Sequence, residues 1–163
     1  MTTENLINKA RAYAAAKHKD QKRKDGKPYF THVEAVAGIV RNDWLNLMPF
    51  HALTVWGPLY ENIVDAAYLH DVIEDCGVTK EDIKAEGFTP LTAEIVEVVS
   101  RKKDENYLDF VVRIMNSGSI SVGAIAVKLA DLQHNMSDLN EGSLKDKYRL
   151  AQYILMQRIR RVN

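Results

Sequence analysis

Apolar residues recur at helical spacing along most of this chain, and no stretch reads convincingly as a strand. Leu6, Ile7, Ala10, Tyr13, Ala14 and Lys17 predict a first helix over 4–19, which runs into a basic loop where Gly26 and Pro28 mark the break. A second helix is predicted over 31–44, with Thr31 as its N-cap, His32 at its start, and Val33, Val36, Ala37, Val40 and Trp44 as its apolar stripe. Between Leu45 and Pro58 the chain is apolar and aromatic but interrupted by Pro49, Gly57 and Pro58, which predicts an irregular connection. A helix over 59–76 follows. Thr79 with Asp82 then forms a capping box for 80–86, and Thr89-Pro90 starts a helix over 90–101 with proline in its first position. Asp104 offers a cap for 105–116, Gly118 breaks that helix, and the small and aliphatic run 119–136 needs burial. Ser143 with Asp146 offers a last capping box, for 144–161. The sum is an all-α fold, a compact bundle of about seven to nine helices.

Length and composition narrow this further. The chain has 163 residues, 46% of them hydrophobic, enough to bury one core, so residues 1–163 are expected to form one domain. Lysine plus arginine equals aspartate plus glutamate, 22 of each, so no global positive field draws the protein to nucleic acid or to an anionic membrane. An anionic partner must be recognised locally. The single cysteine, Cys76, excludes an internal disulfide framework, and MTTENLINKA lacks the apolar stretch of a signal peptide. No apolar run reaches transmembrane length. A cytoplasmic protein is expected, with a homo-oligomer left open.

Inside the apolar run from Ile63 to Ile73 stand His70-Asp71, followed by Glu74-Asp75. Bare charges are costly to bury, and a divalent metal is an economical compensation. On a continuous helix over 60–75, His70 and Glu74 lie one turn apart, as do Asp71 and Asp75, so all four are expected on one side of one helix. A second element is Lys128-Leu129-Ala130-Asp131, where Asp131 ends an apolar run and Asn135 follows one turn later, able to donate to Asp131, a water or a ligand. Asp131 alone reads as a satisfied buried acid; beside His70-Asp71 it becomes a candidate ligand.

His32, His70, Asp71 and Asp131, in that order on separate predicted helices, resemble the ligand set of HD-domain metal-dependent phosphohydrolases. More closely, the chain resembles the hydrolase domain of RelA/SpoT-type alarmone enzymes and the stand-alone small alarmone hydrolases. The residues that carry this are Arg23-Lys24-Asp25-Gly26-Lys27-Pro28-Tyr29, Thr31-His32, Ala67 through Asp75 with its HDxxED, and Lys128 through Asp131 with His134-Asn135-Met136. The resemblance implies a helical domain holding one divalent ion, Mn²⁺, through His32, His70, Asp71 and Asp131. It implies hydrolysis of the 3′-pyrophosphate of guanosine 3′,5′-bis-diphosphate by metal-bound hydroxide. An ion so held can lower the pKa of a bound water from roughly 16 toward about 7. The resemblance gives Glu74 and Asp75 the handling of the attacking water, and gives Arg23 and Lys24 the nucleotide. Asn135 is expected to orient ribose, phosphate or a ligand carboxylate.

Other features are weaker. The loop from Lys17 to Lys27, taken alone, is a solvated basic surface, and Arg101-Lys102-Lys103 reads first as an exposed helix end. Lys147-Tyr148 can reach toward substrate, but an amphipathic helix explains them equally. His18, His51 and His134 are read as structural or exposed, Cys76 as a small buried residue, and Trp44, Phe50 and Trp56 as filling core or an interface. Two features depart from the family: Asp138 stands where the long alarmone hydrolases carry threonine, and 41–58 does not align with them. Two alternatives therefore stay open, a general phosphohydrolase of the same family acting on another phosphoester, and a nucleotide-binding or protein-interaction module with a degenerate site.

Overall fold

The computed structural model describes residues 3–47 and 59–160, with side chains described for 8–43 and 59–160. The helices are α1 (Thr3–Lys17), α2 (Phe30–Leu47), α3 (Tyr60–Leu69), α4 (Val72–Cys76), α5 (Lys80–Ala85), α6 (Pro90–Val99), α7 (Tyr107–Met115), α8 (Ser121–Ser137) and α9 (Ser143–Arg160), with a 3₁₀ turn at Gly118–Ile120 before α8. Among the described residues the only β-type pairing is an isolated bridge between Lys22 and Pro28.

Helix α8 runs through the middle of the bundle. Its run from Ser121 to Val127, and then Leu129 to Leu132, is buried, because α2, α3, α6 and α9 all pack against it. A helix buried nearly all round must be apolar nearly all round, which is the burial that the small and aliphatic stretch requires. Helix α3 lies between α1, α2 and α6 and buries every residue from Ile63 to Leu69. The stripe Val33, Val36, Ala37 and Val40 of α2 is buried, as are Ala10 and Ala14 of α1. Each fully buried Ile, Leu or Val contributes roughly 1.5–3 kcal/mol of transfer free energy. No single described helix is long and apolar enough to cross a membrane.

Local signals set several ends as expected. Thr79 and Asp82 form the reciprocal capping box of α5, and Thr89 caps α6 with Pro90 in its first turn. Three expected caps are corrected. Thr31 lies inside α2, its hydroxyl donating to the Pro28 carbonyl. Asn106, not Asp104, caps α7 by accepting from the Asp109 amide, while Asp104 takes a left-handed turn. Ser143 is already helical, and the Asp146 amide bonds the Gly142 carbonyl. Helix α1 stops at Lys17, two residues before its expected end. Residues 45–47 continue α2 instead of starting an irregular connection. The remainder of that segment, with Phe50, His51 and Trp56, and the side chain of Trp44, lie outside the described residues.

The correction that matters most is at 59–76. The helix breaks at His70-Asp71 and resumes as the short α4, closed by Gly77 in the left-handed conformation. Asp71 occupies the N-cap position of α4 yet makes no side-chain cap. Its carboxylate accepts from the Tyr29 hydroxyl at 2.7 Å instead, and the Ser100 hydroxyl reaches the His70 carbonyl at 3.4 Å. Contacts from distant parts of the chain hold the break.

Candidate metal centre

Four side chains from three places converge. His32 comes from the first turn of α2, His70 and Asp71 from the break between α3 and α4, and Asp131 from the middle of α8. The Nε2 atoms of His32 and His70 are 3.2 Å apart. Asp71 Oδ2 lies 2.8 Å from His70 Nε2 and 3.5 Å from His32 Nε2, and Asp131 Oδ1 lies 3.3 Å from His32 Nε2 and 3.8 Å from His70 Nε2. Ligands about 2.1 Å from one ion stand about 3–3.5 Å from each other, so these separations suit one cation. His32, His70 and Asp131 meet this test as a buried group with all ligand atoms within 4.8 Å of one another.

The protonation pattern also fits. His70 Nδ1 donates to the Ala67 carbonyl at 2.8 Å, which leaves the Nε2 lone pair directed at the centre. His32 is fixed through a longer chain. Arg23 can only donate, so its Nη1 makes His134 Nδ1 an acceptor at 3.1 Å. His32 Nδ1, 2.8 Å from the same His134 nitrogen, must then be the donor, and its Nε2 also presents a lone pair inward. Burial and the neighbouring His32 and Arg23 push the His134 pKa down, in keeping with a neutral acceptor. Two inward lone pairs beside two carboxylates repel unless a positive charge lies among them. Without a metal a proton must serve: burial opposes charge on His70, yet Asp71 and Asp131 hold its pKa up at about 9. The donor set thus fits a divalent ion.

The carboxylates are strongly held. Burial disfavours a charged Asp71, but His70 and His32 keep its carboxyl well below the usual range. Burial likewise opposes charge on Asp131, and Lys128 keeps that carboxyl low. Lys128 Nζ donates to Asp131 Oδ2 at 2.7 Å, and Asn135 Nδ2 donates to Oδ1 at 2.6 Å, the contact its one-turn spacing predicts. The Tyr29 hydroxyl, donating to Asp71, has its pKa raised by burial and by that carboxylate.

Two cavities adjoin this centre and share Tyr29, Asn135 and Tyr148 in their walls. The first, about 360 Å³, is lined by Asp71 and Asp131, by Glu74 and Asp75, and by Arg101, Lys128 and Lys147. The second, about 390 Å³, holds Arg23, Lys24 and Asp138 with Leu139 and Leu144. Volumes of this size suit a small organic ligand.

His70, Asp71, Glu74 and Asp75 do not share one face of one helix, as expected from sequence, because the chain breaks at His70-Asp71. Glu74 and Asp75 line the first cavity but turn to different partners: Glu74 Oε2 accepts from the Arg101 amide at 2.9 Å, and Asp75 Oδ2 from Gln21 Nε2 at 2.8 Å. Lys24 lines the second cavity. Arg23 lines it too, although Asp138 pairs with its guanidinium at 2.9 Å. Arg101 is exposed just beyond the end of α6, as expected, and also lines the first cavity, while Lys102 and Lys103 are exposed and line neither cavity. Tyr29, His134, Lys128 and Gln21 received no role from sequence. Of these only Tyr29, Lys128 and His134 stand within the stretches that carry the family resemblance, and that placement was their only signal. His18 is buried, stacks on Tyr29 with ring centroids 5.0 Å apart, and holds Gln21 through Nδ1 at 2.6 Å. Cys76 Sγ lies 3.4 Å from His18 Nδ1, and burial together with the acids Asp75 and Asp71 raises the thiol pKa, which disfavours the thiolate.

Among the described residues, an all-helical bundle brings two imidazoles and two carboxylates together where they could hold a divalent ion. The chain belongs to the HD domain family, whose model matches residues 10–156. It is 35% identical over 159 residues to a protein of Brucella melitensis biotype 1 named GTP pyrophosphokinase rsh, covering 90% of this chain and 18% of that protein. It is 34% identical over 167 residues to the guanosine-3′,5′-bis(diphosphate) 3′-pyrophosphohydrolase of Vibrio cholerae serotype O1, covering 94% of this chain and 21% of that protein. The chain therefore spans only about a fifth of these relatives' length. A solved structure described as a metazoan ortholog of SpoT that hydrolyzes ppGpp superposes with a TM-score of 0.63 at 22% identity, covering 94% of this chain and 83% of that one. That likeness is one of fold.

Proposed function

We propose that this protein is a metal-dependent pyrophosphohydrolase that removes the 3′-pyrophosphate of guanosine 3′,5′-bis-diphosphate, yielding GDP and pyrophosphate. The observation that carries the reading is the convergence of His32, His70, Asp71 and Asp131 beside two cavities that share Tyr29, Asn135 and Tyr148 in their walls, one lined by acids and cations and the other with room for a nucleoside. The match to a pyrophosphohydrolase across 94% of the chain supports the substrate. The four residues would hold one divalent ion, Mn²⁺, which when bound would supply Lewis-acid charge and lower the pKa of a water toward neutral pH.

The chain's own residues do the rest. Water adds its oxygen to the phosphorus next to the ribose 3′ oxygen, the bond between that oxygen and phosphorus breaks, and the water's protons end on the two products. Glu74 and Asp75 orient the water and accept its proton, each steadied by one neighbour, the Arg101 amide and Gln21 respectively. Arg101, Lys128 and Lys147 line the first cavity with positive charge that balances the negative charge on the pyrophosphoryl group under attack, while the ribose 3′ oxygen leaves with GDP. Asn135, in the shared wall, orients the ribose or its phosphates, and Arg23 and Lys24 hold the nucleoside end.

The deciding experiment incubates Mn²⁺-loaded protein with guanosine 3′,5′-bis-diphosphate and resolves products by chromatography. Release of GDP and pyrophosphate, lost in Asp71→Ala, is expected. Metal-loaded protein that leaves this nucleotide intact would overturn the substrate assignment.

A further inference from the structure

Glu74 is met by one main-chain amide, and a single cation holds that amide from behind. The amide belongs to the peptide between Ser100 and Arg101, in the loop joining α6 to α7, and donates to Glu74 Oε2 at 2.9 Å. The carbonyl of the same peptide accepts from Arg113 Nη2 at 2.9 Å. A trans peptide is planar, with its C=O and N–H pointing in opposite directions, so fixing one aims the other. We infer that Arg113, which lines neither cavity, is a positioning residue that aims Glu74 through this one peptide plane. This rests on the hydrolysis proposed above, in which Glu74 handles the water.

Arg113, in α7, is half-buried and fully engaged. Its Nε and Nη2 donate to the two carboxylate oxygens of Glu105 at 2.7 and 2.8 Å, and its Nη1 donates to the Val98 carbonyl at 3.0 Å. The last carbonyls of a helix lack partners within it, and here the guanidinium supplies the missing donors at the C-terminal end of α6. Glu105 closes the frame, because its Oε2 also accepts from the Lys102 amide at 3.0 Å. Ser100, Arg101 and Lys102 are thereby tied at three successive points. Bonding to Arg113 pulls the Glu105 carboxyl down to about 2, so the pair stays charged near neutral pH.

A planar fork is what this arrangement needs. Lysine would bring a point charge that cannot span Glu105, Val98 and Ser100 in one fixed geometry. Hydrogen bonds at the two ends of a peptide also polarise each other, so losing the carbonyl partner weakens the donation to Glu74 as well as misdirecting it.

The test reads the peptide first, by amide NMR of the full chain in wild type and Arg113→Lys. The Arg101 amide is expected to exchange with solvent about tenfold faster or more in the variant. The Asp82 amide, bonded to the Thr79 hydroxyl in its own capping box, is expected to keep its wild-type rate. An unchanged Arg101 amide overturns the inference, whatever the substrate. The second measurement is turnover of the bis-diphosphate by Mn²⁺-loaded Arg113→Lys, Glu74→Gln and the double variant. Arg113→Lys is expected to lower kcat about 10–100-fold while KM stays within about threefold of wild type. With Glu74→Gln already in place, it is expected to cost nothing further. An equal loss in both backgrounds would mean that Arg113 only stabilises the fold, and overturns the inference. Glu105→Gln, which keeps the shape of the pair, should repeat the pattern at smaller size and replaces Arg113→Lys if that variant does not fold. Wild type that leaves the bis-diphosphate intact overturns the proposed reaction, and the exchange rate of the Arg101 amide then decides the role of Arg113 alone.

Discussion

At the level of single side chains, buried charge among the described residues is compensated at the centre, whereas Asp65, away from it, is left short of a hydrogen-bond partner. Asp65 of α3 is buried, and its Oδ1 has no hydrogen-bond partner among the described residues. Burial, with Glu61 nearby, raises its pKa to about 6. A carboxyl whose folded pKa exceeds its unfolded value near 3.9 favours folding fully below that value, and the benefit is lost as pH rises through 6. Asp65→Asn should therefore be about 1–2 kcal/mol more stable than wild type at pH 7.5, with the difference shrinking toward zero by pH 4. Urea unfolding of both proteins at the two pH values checks this; equal stability at pH 7.5 would show that Asp65 is not strained. Legibility in the sequence divides along the same line. Asp131 and Asn135 are readable because their contact is one helical turn long, whereas His134, read as structural or exposed, bonds His32 across 102 positions, a partner that only the fold reveals.

At the level of elements, two glycines within helices mark opposite packing regimes. A Cβ on Gly123 of α8 would sit 2.9 Å from Ile95 Cδ1 and 3.2 Å from Ile63 Cγ1, so this glycine lets α8 approach α6 and α3 closely. Gly38 of α2 has nothing within 4 Å of the same atom. Gly38→Ala should gain roughly 0.5–1 kcal/mol through helix propensity, while Gly123→Val should lose about 1–3 kcal/mol by overpacking. Thermal melts of the pair with opposite shifts are the expected result, and a stabilised Gly123→Val would refute the close-packing account. Helix existence and the caps at Thr79 and Thr89 were legible because their causes are local. The break at His70-Asp71 was not, because the apolar pattern runs straight through it and the groups that hold it, Tyr29 and Ser100, belong to other elements.

At the level of the whole molecule, the centre ties α2, the α3–α4 break and α8 together, so an ion that binds only the folded chain stabilises all of it. At an ion concentration 100 times its dissociation constant the gain is about 2.7 kcal/mol. For a chain of this size that corresponds to a rise in Tm of roughly 5–10 °C. Scanning calorimetry with and without Mn²⁺ should show the rise in wild type and its absence in Asp71→Ala. In His134→Phe the rise should need about 10–100-fold more metal, because the ring that orients His32 is gone. A metal-independent Tm in wild type would remove the ion from the structure's account.

The broken helix has one more consequence, which concerns rotational phase. On an α-helix, consecutive side chains point about 100° apart. At the junction of α3 and α4, His70 and Asp71 nonetheless reach one centre, with Nε2 and Oδ2 2.8 Å apart. The junction also makes the segment from Tyr60 to Asp71 intolerant of a change in length, because one residue added or removed there would swing both groups away together. Beyond Gly77, where the chain has already turned, the same change would leave them aimed as they are.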